Sequence, residues 1–372
     1  MSSRVAFNHL SVAGASVRAA GKSPVLLVGT FLSAALNHRS VCEELAARLS
    51  DAGWPVLTTS EEPGRLARLC DVVATAWRRR LDYQIAQVDV FSGPAFVWAE
   101  AACGALWLAG KPFVLTLHGG NLPNFARRWP RRVRRLLNSA AAVTTPSRYL
   151  LEEMSRHRRD LLLLPNPLDV QRYAFRARRH PEARLVWLRA FRDIYHPELA
   201  VETLALLATD FPEARLNMIG HDKGDGSRQR TERAASESGV AERLLLPGGV
   251  PKAEVPGQLA LGDIFLNTTN VDNTPVSVLE AMACGLCVVS TNVGGIPYLL
   301  EHEHDALLVP PGDAQAMAAA VRRLLTEPEL AERLSRNGRR KAEQFDWSSI
   351  LPRWESLLTA VADGRPTPSP AK

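Results

Sequence analysis

Short apolar runs alternate with longer amphipathic runs along most of the chain. The first pair is the run VLLV at 25–28, which predicts a buried strand, and the stretch 41–49, which predicts a helix. Strands joined by helices of this length predict a parallel, doubly wound α/β sheet, whose ligands bind at the carboxyl ends of the strands. The further predicted strands are 56–58, 88–91, 113–117, 141–144, 161–164, 185–188, 215–219, 244–246, 264–267 and 287–291. The further predicted helices are 63–75, 95–108, one that begins at Ser147, one from about Pro197, one that ends near Gly239, and 254–260, 276–283, 314–325, 329–343 and 347–358.

The pattern weakens in the charged segment 174–182, where we place a domain boundary. A chain of 372 residues has room for two domains, each with its own core. We therefore predict a first domain at 1–178 and a second at 179–345. The end of the chain, 363–372, is rich in proline and is predicted to be disordered.

Composition and charge narrow the class of protein and of partner. A hydrophobic content of 46% and a charged content of 23% are typical of a globular protein, not of a disordered chain or a coiled coil. The formal net charge of +6 favours anionic partners such as nucleotide diphosphates, acidic lipid surfaces or nucleic acid. Net charge alone does not choose among them.

The cysteines and the first apolar run indicate in which cellular compartment the protein is expected. The five cysteines are scattered through apolar segments, which favours reduced thiols and a cytoplasmic protein over a disulfide framework. Cys284 and Cys287 form a C-x-x-C that follows a helix and enters a strand, so we predict neither a redox nor a zinc site. The apolar run 24–36 resembles a signal peptide, but a strand, a loop and the helix 41–49 explain it better.

The stretch 271–297, VDNTPVSVLEAMACGLCVVSTNVGGIP, carries the clearest candidate chemistry. Asp272 precedes a turn that contains Pro275, and Glu280 lies inside the predicted helix that follows. The first turn of a helix has free N–H groups that favour a phosphate, while a carboxylate suits paired sugar hydroxyls. The alternative is an ordinary helix-strand unit of an α/β domain.

This stretch resembles the donor-binding sequence of family 4 glycosyltransferases, which are retaining enzymes of GT-B fold with two Glu separated by seven residues. Asp272 stands at the first Glu and Glu280 at the second, and LEAMACG, a strand and VGGIP follow as in the family. There are two departures. Asp272 is one methylene shorter than Glu, and Pro275, which has no N–H to donate, stands where the family often has Gly.

The resemblance implies a fold and a domain arrangement. Two Rossmann-like domains would face a central cleft, the second holding a nucleotide sugar and the first an acceptor. The segment PNPLD at 165–169 would link them, and the helix at 346–362 would cross back and complete the first domain.

The second domain begins with a strand that ends in a candidate phosphate ligand. Arg189 matches an Arg of the family, and a guanidinium can hold phosphate oxygens bidentately. The family has a Lys five residues later, but Ile194 stands there in this chain. Arg192 or His196 could supply the second positive charge.

Two loops of the first domain are similar to those that the family places at its cleft. His118 follows the strand FVLTL together with Gly119 and Gly120, and it matches the His-Gly step near the reacting sugar, although a lone His is often structural. Gly29 begins the loop GTFLS at 29–33, where the family has a Gly-rich loop that faces the donor phosphate; the alternative is a plain connection.

By this resemblance, Glu280 would bind both ribose hydroxyls and Asp272 the sugar hydroxyls. Arg189 and the helix start after Pro275 would stabilise the departing diphosphate, and His118 would line the reacting face. The candidate donor-binding residues are Gly29, Arg189, Asp272, Asn273, Thr274, Pro275, Val276, Ser277 and Glu280, and the candidate catalytic residues are His118, Arg189 and Asp272.

A basic segment follows the His-Gly loop. The sequence FARRWPRRVRRLL at 125–137 places six arginines around Trp129 and Val133. The span from Arg127 to Arg135 either contacts an anionic membrane surface or forms a solvated helix face. No binding motif or interleaved aromatic pattern accompanies the charge, so we predict no nucleic-acid partner.

The sequence EHEHD at 301–305 is the one candidate metal motif, through His302 and His304. In the family this is a variable surface turn, and the fold needs no metal. We therefore predict no metal and no cofactor apart from the nucleotide-sugar co-substrate.

The resemblance thus implies a retaining glycosyltransferase that moves a sugar from a UDP- or GDP-linked donor to a sugar or lipid-linked acceptor. Polysaccharide or glycolipid biosynthesis is the expected setting, in the cytoplasm or peripherally on the inner face of the membrane. Ile194, Asp272 and Pro275 keep a non-catalytic GT-B partner subunit open as an alternative. A sugar-nucleotide epimerase shares the architecture, but the two-carboxylate sequence argues against it.

Overall fold

The computed structural model has two parallel sheets of six strands each, both flanked by helices. It describes residues 22–31, 40–62 and 64–367, apart from the side chain of Arg65. The strand orders are β2-β1-β3-β4-β5-β6 and β12-β11-β10-β7-β8-β9. The first sheet consists of β1 (Val25–Val28), β2 (Val56–Thr59), β3 (Ile85–Val90), β4 (Phe113–Leu117), β5 (Ala142–Thr145) and β6 (Leu161–Leu163). The second consists of β7 (Arg184–Leu188), β8 (Arg215–Ile219), β9 (Leu244–Gly248), β10 (Ile264–Asn267), β11 (Cys287–Thr291) and β12 (Leu307–Val309). The predicted fold class, an α/β protein with two Rossmann-like domains, is confirmed.

Helices connect the strands on both faces of each sheet. Those of the first half are α1 (Val41–Asp51), α2 (Arg65–Arg78), α3 (Pro94–Leu108), α4 (Leu122–Arg128), α5 (Pro130–Ser139) and α6 (Arg148–Ser155). Those of the second half are α7 (Pro197–Leu207), α8 (Ser227–Glu237), α9 (Val255–Ala260), α10 (Val276–Ala283), α11 (Ile296–Leu299), α12 (Ala314–Thr326), α13 (Pro328–Glu343) and α14 (Trp347–Ala362). Among the described residues, no helix has the length and apolar character needed to cross a membrane.

Side chains that point alternately to the two faces of a sheet form one hydrophobic core on each face. In β1, Leu26 and Val28 pack with α3 on one face, while Val25 and Leu27 pack on the other face. Successive side chains of a strand point to opposite faces, so a strand covered on both faces is apolar throughout. This is why the uninterrupted run VLLV forms a central strand.

The last helix, α14, packs on the first sheet although it follows the second sheet in the chain. Trp347, Ile350, Trp354 and Leu358 are buried there in one cluster with β1, β3 and β4. Asp346 begins the helix, and its carboxylate accepts hydrogen bonds from the backbone N–H of Ser348 at 2.9 Å and of Val170 at 3.0 Å.

The segment that connects the two sheets packs on the second sheet's side of the molecule. Leu168, Val170 and Tyr173 pack with helices of the second sheet. Farther on, the buried Arg178 donates from Nε to Asp263 at 3.2 Å and from Nη2 to the Gly262 carbonyl at 2.9 Å. Asp263 directly precedes β10.

The segment 125–137 is divided between two helices. α4 ends at Arg128 and α5 begins at Pro130, with Trp129 between them. Proline has no N–H for an intrahelical hydrogen bond, but it fits the first position of a helix, where none is needed. The 88–91 strand is longer than predicted, because it includes three further residues from Ile85 onward and ends at Val90.

Candidate functional site

The loops at the carboxyl ends of the two sheets meet. A Cβ atom built on Gly120, after β4, would lie 3.9 Å from backbone atoms of Asp272 and Asn273. The Ser147 hydroxyl, after β5, donates a hydrogen bond to the Asn273 side chain. The structure therefore brings the His-Gly loop of the first sheet against the Asp272 loop of the second.

Arg189 lies at the carboxyl end of β7 and forms an ion pair with Asp272. Its guanidinium also lies over the Tyr195 ring, 4.4 Å from the ring centroid. Burial lowers the pKa of Arg189. A buried guanidinium with one carboxylate partner keeps further N–H groups for an anion.

The Asp272 loop rests directly on the two glycines of VGGIP. The Gly295 N–H donates to the Asp272 carbonyl at 2.9 Å. A Cβ atom on Gly294 would overlap that carbonyl oxygen, and one on Gly295 would overlap the carbonyl oxygen of Asn273. The Gly-Gly pair is therefore required by close packing of backbone against backbone.

Glu280 is a buried carboxylate on α10. Its Oε1 accepts a hydrogen bond from the Tyr173 hydroxyl at 2.7 Å, and the residue is 7% exposed. Burial raises the pKa of Glu280, although the Tyr173 hydrogen bond and the positive charges of Lys252 and Arg189 act to lower it. Burial and the Glu280 carboxylate in turn raise the pKa of Tyr173.

The head of α10 lies between the two carboxylates. Pro275 precedes the helix with extended backbone and makes no side-chain cap. The Ser277 hydroxyl is buried, and no described residue shares a hydrogen bond with it. The first helical turn also has N–H groups without intrahelical partners. The polar groups of this turn are thus available to a ligand.

His118 lies at the carboxyl end of β4, where it pairs with a carboxylate that the sequence interpretation did not single out. Its Nε2 is 3.0 Å from Oδ1 of Asp89, and its ring is stacked on Phe91 with 4.9 Å between centroids. Gly119 follows with a φ of +85°, which turns the chain away from the strand.

Two of the remaining positions that the sequence interpretation named are Gly29 with its loop and Ile194. Gly29 belongs to the first domain, where a Cβ atom would lie 3.1 Å from Asp89 Oδ2. The other predicted loop residues Leu32 and Ser33 lie outside the described residues. Ile194 is 41% exposed, and its carbonyl accepts from the Asn270 N–H at 2.8 Å, beside the Asp272 loop.

The two alternative cations flank a short 3-10 turn. Arg192 precedes the turn Asp193–Tyr195, and His196 ends it with a φ of 42° and precedes α7. Arg192 is exposed. His196 Nδ1 is buried, and no described residue shares a hydrogen bond with it.

Sequence reasoning missed three groups that the structure adds to the site. They are Asp89 beside His118, Tyr173 beside Glu280, and the pair formed by Lys252 and Glu44, whose Nζ and Oε1 atoms are 2.8 Å apart. Asp89 had a signal in the sequence, because a charged residue in an otherwise buried strand needs an explanation. The other groups meet only through the tertiary fold.

The described residues contain no cluster of three or more His, Cys, Asp or Glu that could hold a metal ion. In the 301–305 segment, His302 Nδ1 accepts a hydrogen bond from the Leu308 N–H at 3.0 Å. The Asn337 side chain donates to the His304 carbonyl at 2.7 Å.

Curated proteins and solved structures resemble this chain over long regions. A GDP-mannose-dependent alpha-(1-6)-phosphatidylinositol monomannoside mannosyltransferase of Mycolicibacterium smegmatis is 28% identical over 63% of this chain and 66% of its own length. An N-acetyl-alpha-D-glucosaminyl L-malate synthase of Bacillus anthracis is 28% identical over 48% of this chain and 46% of its own length. These alignments therefore span less than two thirds of either relative.

The fold matches solved structures of low sequence identity. Anabaena HepE in complex with UDP and glucose has a TM-score of 0.72 at 17% identity, covering 91% of this chain and 100% of that one. Sucrose-phosphate synthase from Thermosynechococcus elongatus has a TM-score of 0.75 at 18% identity, covering 92% and 100%.

Two family models match successive parts of the sequence. The model described as Glycosyltransferase Family 4 matches residues 40–172, and the model described as Glycosyl transferases group 1 matches residues 175–341. Together they cover the second sheet, all strands of the first sheet except β1, and the His-Gly and Asp272 loops that meet between the sheets. The chain therefore belongs to the family 4 glycosyltransferases of GT-B fold.

Proposed function

We propose that this chain is a retaining glycosyltransferase that moves a sugar from a nucleotide diphosphate sugar to an acceptor hydroxyl. The observation that carries the proposal is the Arg189–Asp272 ion pair at the head of α10, one helical turn before the buried Glu280. A cation, free helical N–H groups and two carboxylates suit the diphosphate and the hydroxyls of one donor molecule.

Each group has a distinct task in this proposal. Glu280, held by Tyr173, accepts hydrogen bonds from the ribose hydroxyls. Asp272 exchanges Arg189 for hydroxyls of the transferred sugar, and Arg189 turns to the diphosphate. The polar groups from Asn273 to Ser277 contribute to phosphate binding, and His118 lines the reacting face.

Charge stabilisation by protein groups replaces a metal ion in this mechanism. Negative charge develops on the departing diphosphate, and preorganised N–H dipoles and a guanidinium stabilise it. We propose a metal-independent enzyme for this reason. We also propose residues 1–178 with 346–362 as the acceptor-side domain and 179–345 as the donor domain.

The relatives suggest the classes of substrate. One is named for GDP-mannose and a phosphatidylinositol mannoside, and HepE was solved with UDP and glucose. We propose a UDP- or GDP-linked donor and a sugar or lipid-linked acceptor, in polysaccharide or glycolipid biosynthesis in the cytoplasm.

Thermal unfolding with a panel of UDP- and GDP-sugars tests the donor site. A ligand at about 100 times its dissociation constant adds ~2.7 kcal/mol of stability and raises the midpoint. We expect one donor to do so, and Glu280→Gln to abolish the shift. The matched control is Glu242→Gln, which changes an exposed carboxylate of the same domain. A panel without any shift, or an unchanged shift in Glu280→Gln, contradicts the proposed site.

Release of nucleotide diphosphate with an accepting glycoside then separates an enzyme from a non-catalytic partner subunit. Ile194 in place of the second cation is the observation that favours a partner subunit. Donor binding without turnover would support that alternative.

We further propose that α4 and α5 contact an anionic membrane surface. Arg131 and Arg135 line a groove of about 670 Å³ together with Trp107, which is 72% exposed. Arg132 is paired with Glu100, where Nε and Oε1 are 2.6 Å apart, so it contributes less free charge than its neighbours. Exposed arginines beside an exposed tryptophan suit the headgroup region of a bilayer.

Vesicle flotation tests this surface. We expect binding to phosphatidylglycerol vesicles, weaker binding to phosphatidylcholine vesicles, and a loss of most binding in Arg131→Ala/Arg135→Ala. The control pair Lys223→Ala/Arg233→Ala removes the same charge from exposed positions of the second domain. Equal losses in both double variants would show a general charge effect and no specific surface.

A further inference from the structure

A second cavity lies in the first domain at the carboxyl ends of β1 and β3. Its volume is about 100 Å³, and its wall includes Gly29, Arg68, Asp89, Phe91 and Trp98. Asp89 also lines the small cavity that contains His118. The carboxylate therefore stands between this cavity and the candidate catalytic histidine.

The two oxygens of Asp89 have different surroundings. Oδ1 accepts hydrogen bonds from Gln87 Nε2 at 2.8 Å and from His118 Nε2 at 3.0 Å. No N–H or O–H group of the described residues donates to Oδ2; the Cys42 thiol, a weak donor, hydrogen-bonds to the carboxylate, whose side chain is only 10% exposed. A thiol does not replace the hydration of a buried carboxylate oxygen, so Oδ2 is a place where a stronger hydrogen-bond donor is expected to bind.

Hydrogen bonds and stacking around Asp89 fix the orientation of the Gln87 amide and of the His118 ring. Gln87 Nε2 also donates to Thr116 Oγ1 at 2.8 Å, which fixes the orientation of the Gln87 amide. A carboxylate only accepts hydrogen bonds, so His118 carries a proton on Nε2. Stacking on Phe91 fixes the plane of the ring.

Gly29 leaves Oδ2 accessible. A Cβ atom at this position would be 3.1 Å from Oδ2, too close for a hydrogen-bonding group to fit between them. The aromatic side chains of Phe91 and Trp98 give the cavity an apolar wall, and Arg68 lies over Trp98 at 5.5 Å from its centroid. An apolar wall with a single carboxylate oxygen that lacks a strong donor suits a hydroxylated ring such as a sugar.

We propose that this cavity is the subsite for the acceptor ring and that Asp89 Oδ2 accepts a hydrogen bond from an acceptor hydroxyl. Through Oδ1 the same carboxylate acts as the positioning residue of His118. Asp89 takes no proton in this role, which needs hydrogen bonds alone. The inference rests on the proposed glycosyl transfer and names the residue that orients its acceptor.

Asp89→Asn tests the proposal at a single atom. In Asp89→Asn, Gln87 Nε2 and His118 Nε2 still donate to the side-chain oxygen, which therefore stays at the Oδ1 position. The NH₂ group then takes the place of Oδ2, so a hydrogen-bond donor replaces an acceptor. Loss of a hydrogen bond to a charged group reduces affinity by about 10- to 100-fold. We expect KM for octyl mannoside and octyl glucoside to rise by that factor, and donor hydrolysis by water to slow.

Two further readouts separate acceptor orientation from a structural role. The donor-dependent thermal shift should be unchanged in Asp89→Asn, and the Nε2–H signal of His118 in a nitrogen-proton correlation spectrum should persist. Asp89→Ala should lose that signal. The control Asp82→Asn changes an exposed carboxylate of the same domain and should match the wild type in every readout.

The outcomes distinguish this inference from the proposed function. A wild type without any donor-dependent shift overturns both. A wild type that binds and turns over donor, with Asp89→Asn equally active on glycosides and on water, overturns the acceptor role alone. Equal loss of donor binding and acceptor use in Asp89→Asn also overturns it, because it shows general damage to the site.

Discussion

At the scale of single residues, Glu280 stands out because its charged form is held in a buried position. The Tyr173 hydroxyl is the described side chain that hydrogen-bonds to it, and one neutral hydrogen bond does not replace hydration of a carboxylate. A functional site that lowers the stability of the protein in this way is common among enzymes.

This burial predicts a pH-dependent stability. Because the pKa of folded Glu280 is raised above its ordinary value of 4.5, the folded state binds more protons than the unfolded state just above that pH. The free energy of unfolding therefore decreases as the pH rises from 4.5 through the folded pKa. Relative to Glu280→Gln, the wild type should lose about 1.4 kcal/mol for each unit by which the pKa is raised.

Urea unfolding at a series of pH values measures this difference. Glu242→Gln, which changes an exposed carboxylate of the second half, is the control. A wild type that gains stability over Glu280→Gln as the pH rises would disprove the prediction.

Ile194 offers a gain-of-function test at the same scale. Its exposed side chain follows Arg189 in the loop that hydrogen-bonds to Asn270. We expect Ile194→Lys to tighten binding of UDP or GDP by about 3- to 10-fold, since a nearby ammonium attracts the diphosphate, and the gain should shrink at high salt. Calorimetry measures the affinity.

Leu245→Lys is the matched control, because it adds the same charge at an exposed position of β9. An equal gain in both variants would indicate a general effect of net charge.

At the scale of elements, the Gly-Gly turn after β11 supports the Asp272 loop. Gly295→Ala would force its methyl group onto the Asn273 carbonyl, so the loop must shift. We expect a loss of about 1–3 kcal/mol in the free energy of unfolding and a smaller donor-dependent thermal shift. Urea unfolding and thermal unfolding with donor measure the two effects.

Gly104 supplies the opposite case. It is exposed within α3, and a Cβ atom there would meet nothing within 4 Å. Gly104→Ala should therefore stabilise the protein by about 0.5–1 kcal/mol and leave donor binding unchanged. Similar effects of the two substitutions would show that packing at Gly295 is not what supports the loop.

Elements with a strong local pattern were predictable from the sequence. The strands Phe113–Leu117, Ile264–Asn267 and Cys287–Thr291 have the predicted ends. The first two are mostly apolar runs with a polar residue or Pro on either side, and the third follows the pair Gly285 and Leu286. β3 begins three residues earlier than predicted, because Gln87 is a polar residue that is buried within this central strand.

The candidate site was predictable only where its residues are neighbours in the sequence. The span 272–280 carries its own spacing and helix start. In contrast, Tyr173 reaches Glu280 and Asp89 reaches His118 only because parallel strands and a linker bring them together, and no local pattern encodes those contacts. Residues 32–39, which include the end of the loop after Gly29, lie outside the described residues, so the role predicted for that loop stays a prediction.

At the scale of the whole molecule, three side-chain hydrogen bonds among the described residues join the first sheet's loops and helices to those of the second. They are Glu44 with Lys252, Ser147 with Asn273, and Tyr298 with Glu152, the last with 2.8 Å between the tyrosine oxygen and Oε2. Two of them lie close to candidate donor residues. Domain closure and donor binding are therefore expected to be coupled.

A charge swap tests this coupling. Glu44→Lys places two ammonium groups together, and we expect donor affinity to fall by about 2- to 5-fold, because the pair is partly exposed and worth only about 1 kcal/mol. Glu44→Lys/Lys252→Glu restores an attractive pair and should recover the affinity. Additive losses in a double-mutant cycle would show that the pair does not act between the domains.

The return of α14 to the first sheet has a consequence for biosynthesis. Trp347, Ile350 and Trp354 cover the face of β1 that carries Val25 and Leu27. The ribosome makes these tryptophans only after the entire second sheet, so an apolar surface of the nascent first half stays uncovered until translation is nearly complete. The second half can finish its core earlier, and the domain that is synthesised first is the one that completes its folding last.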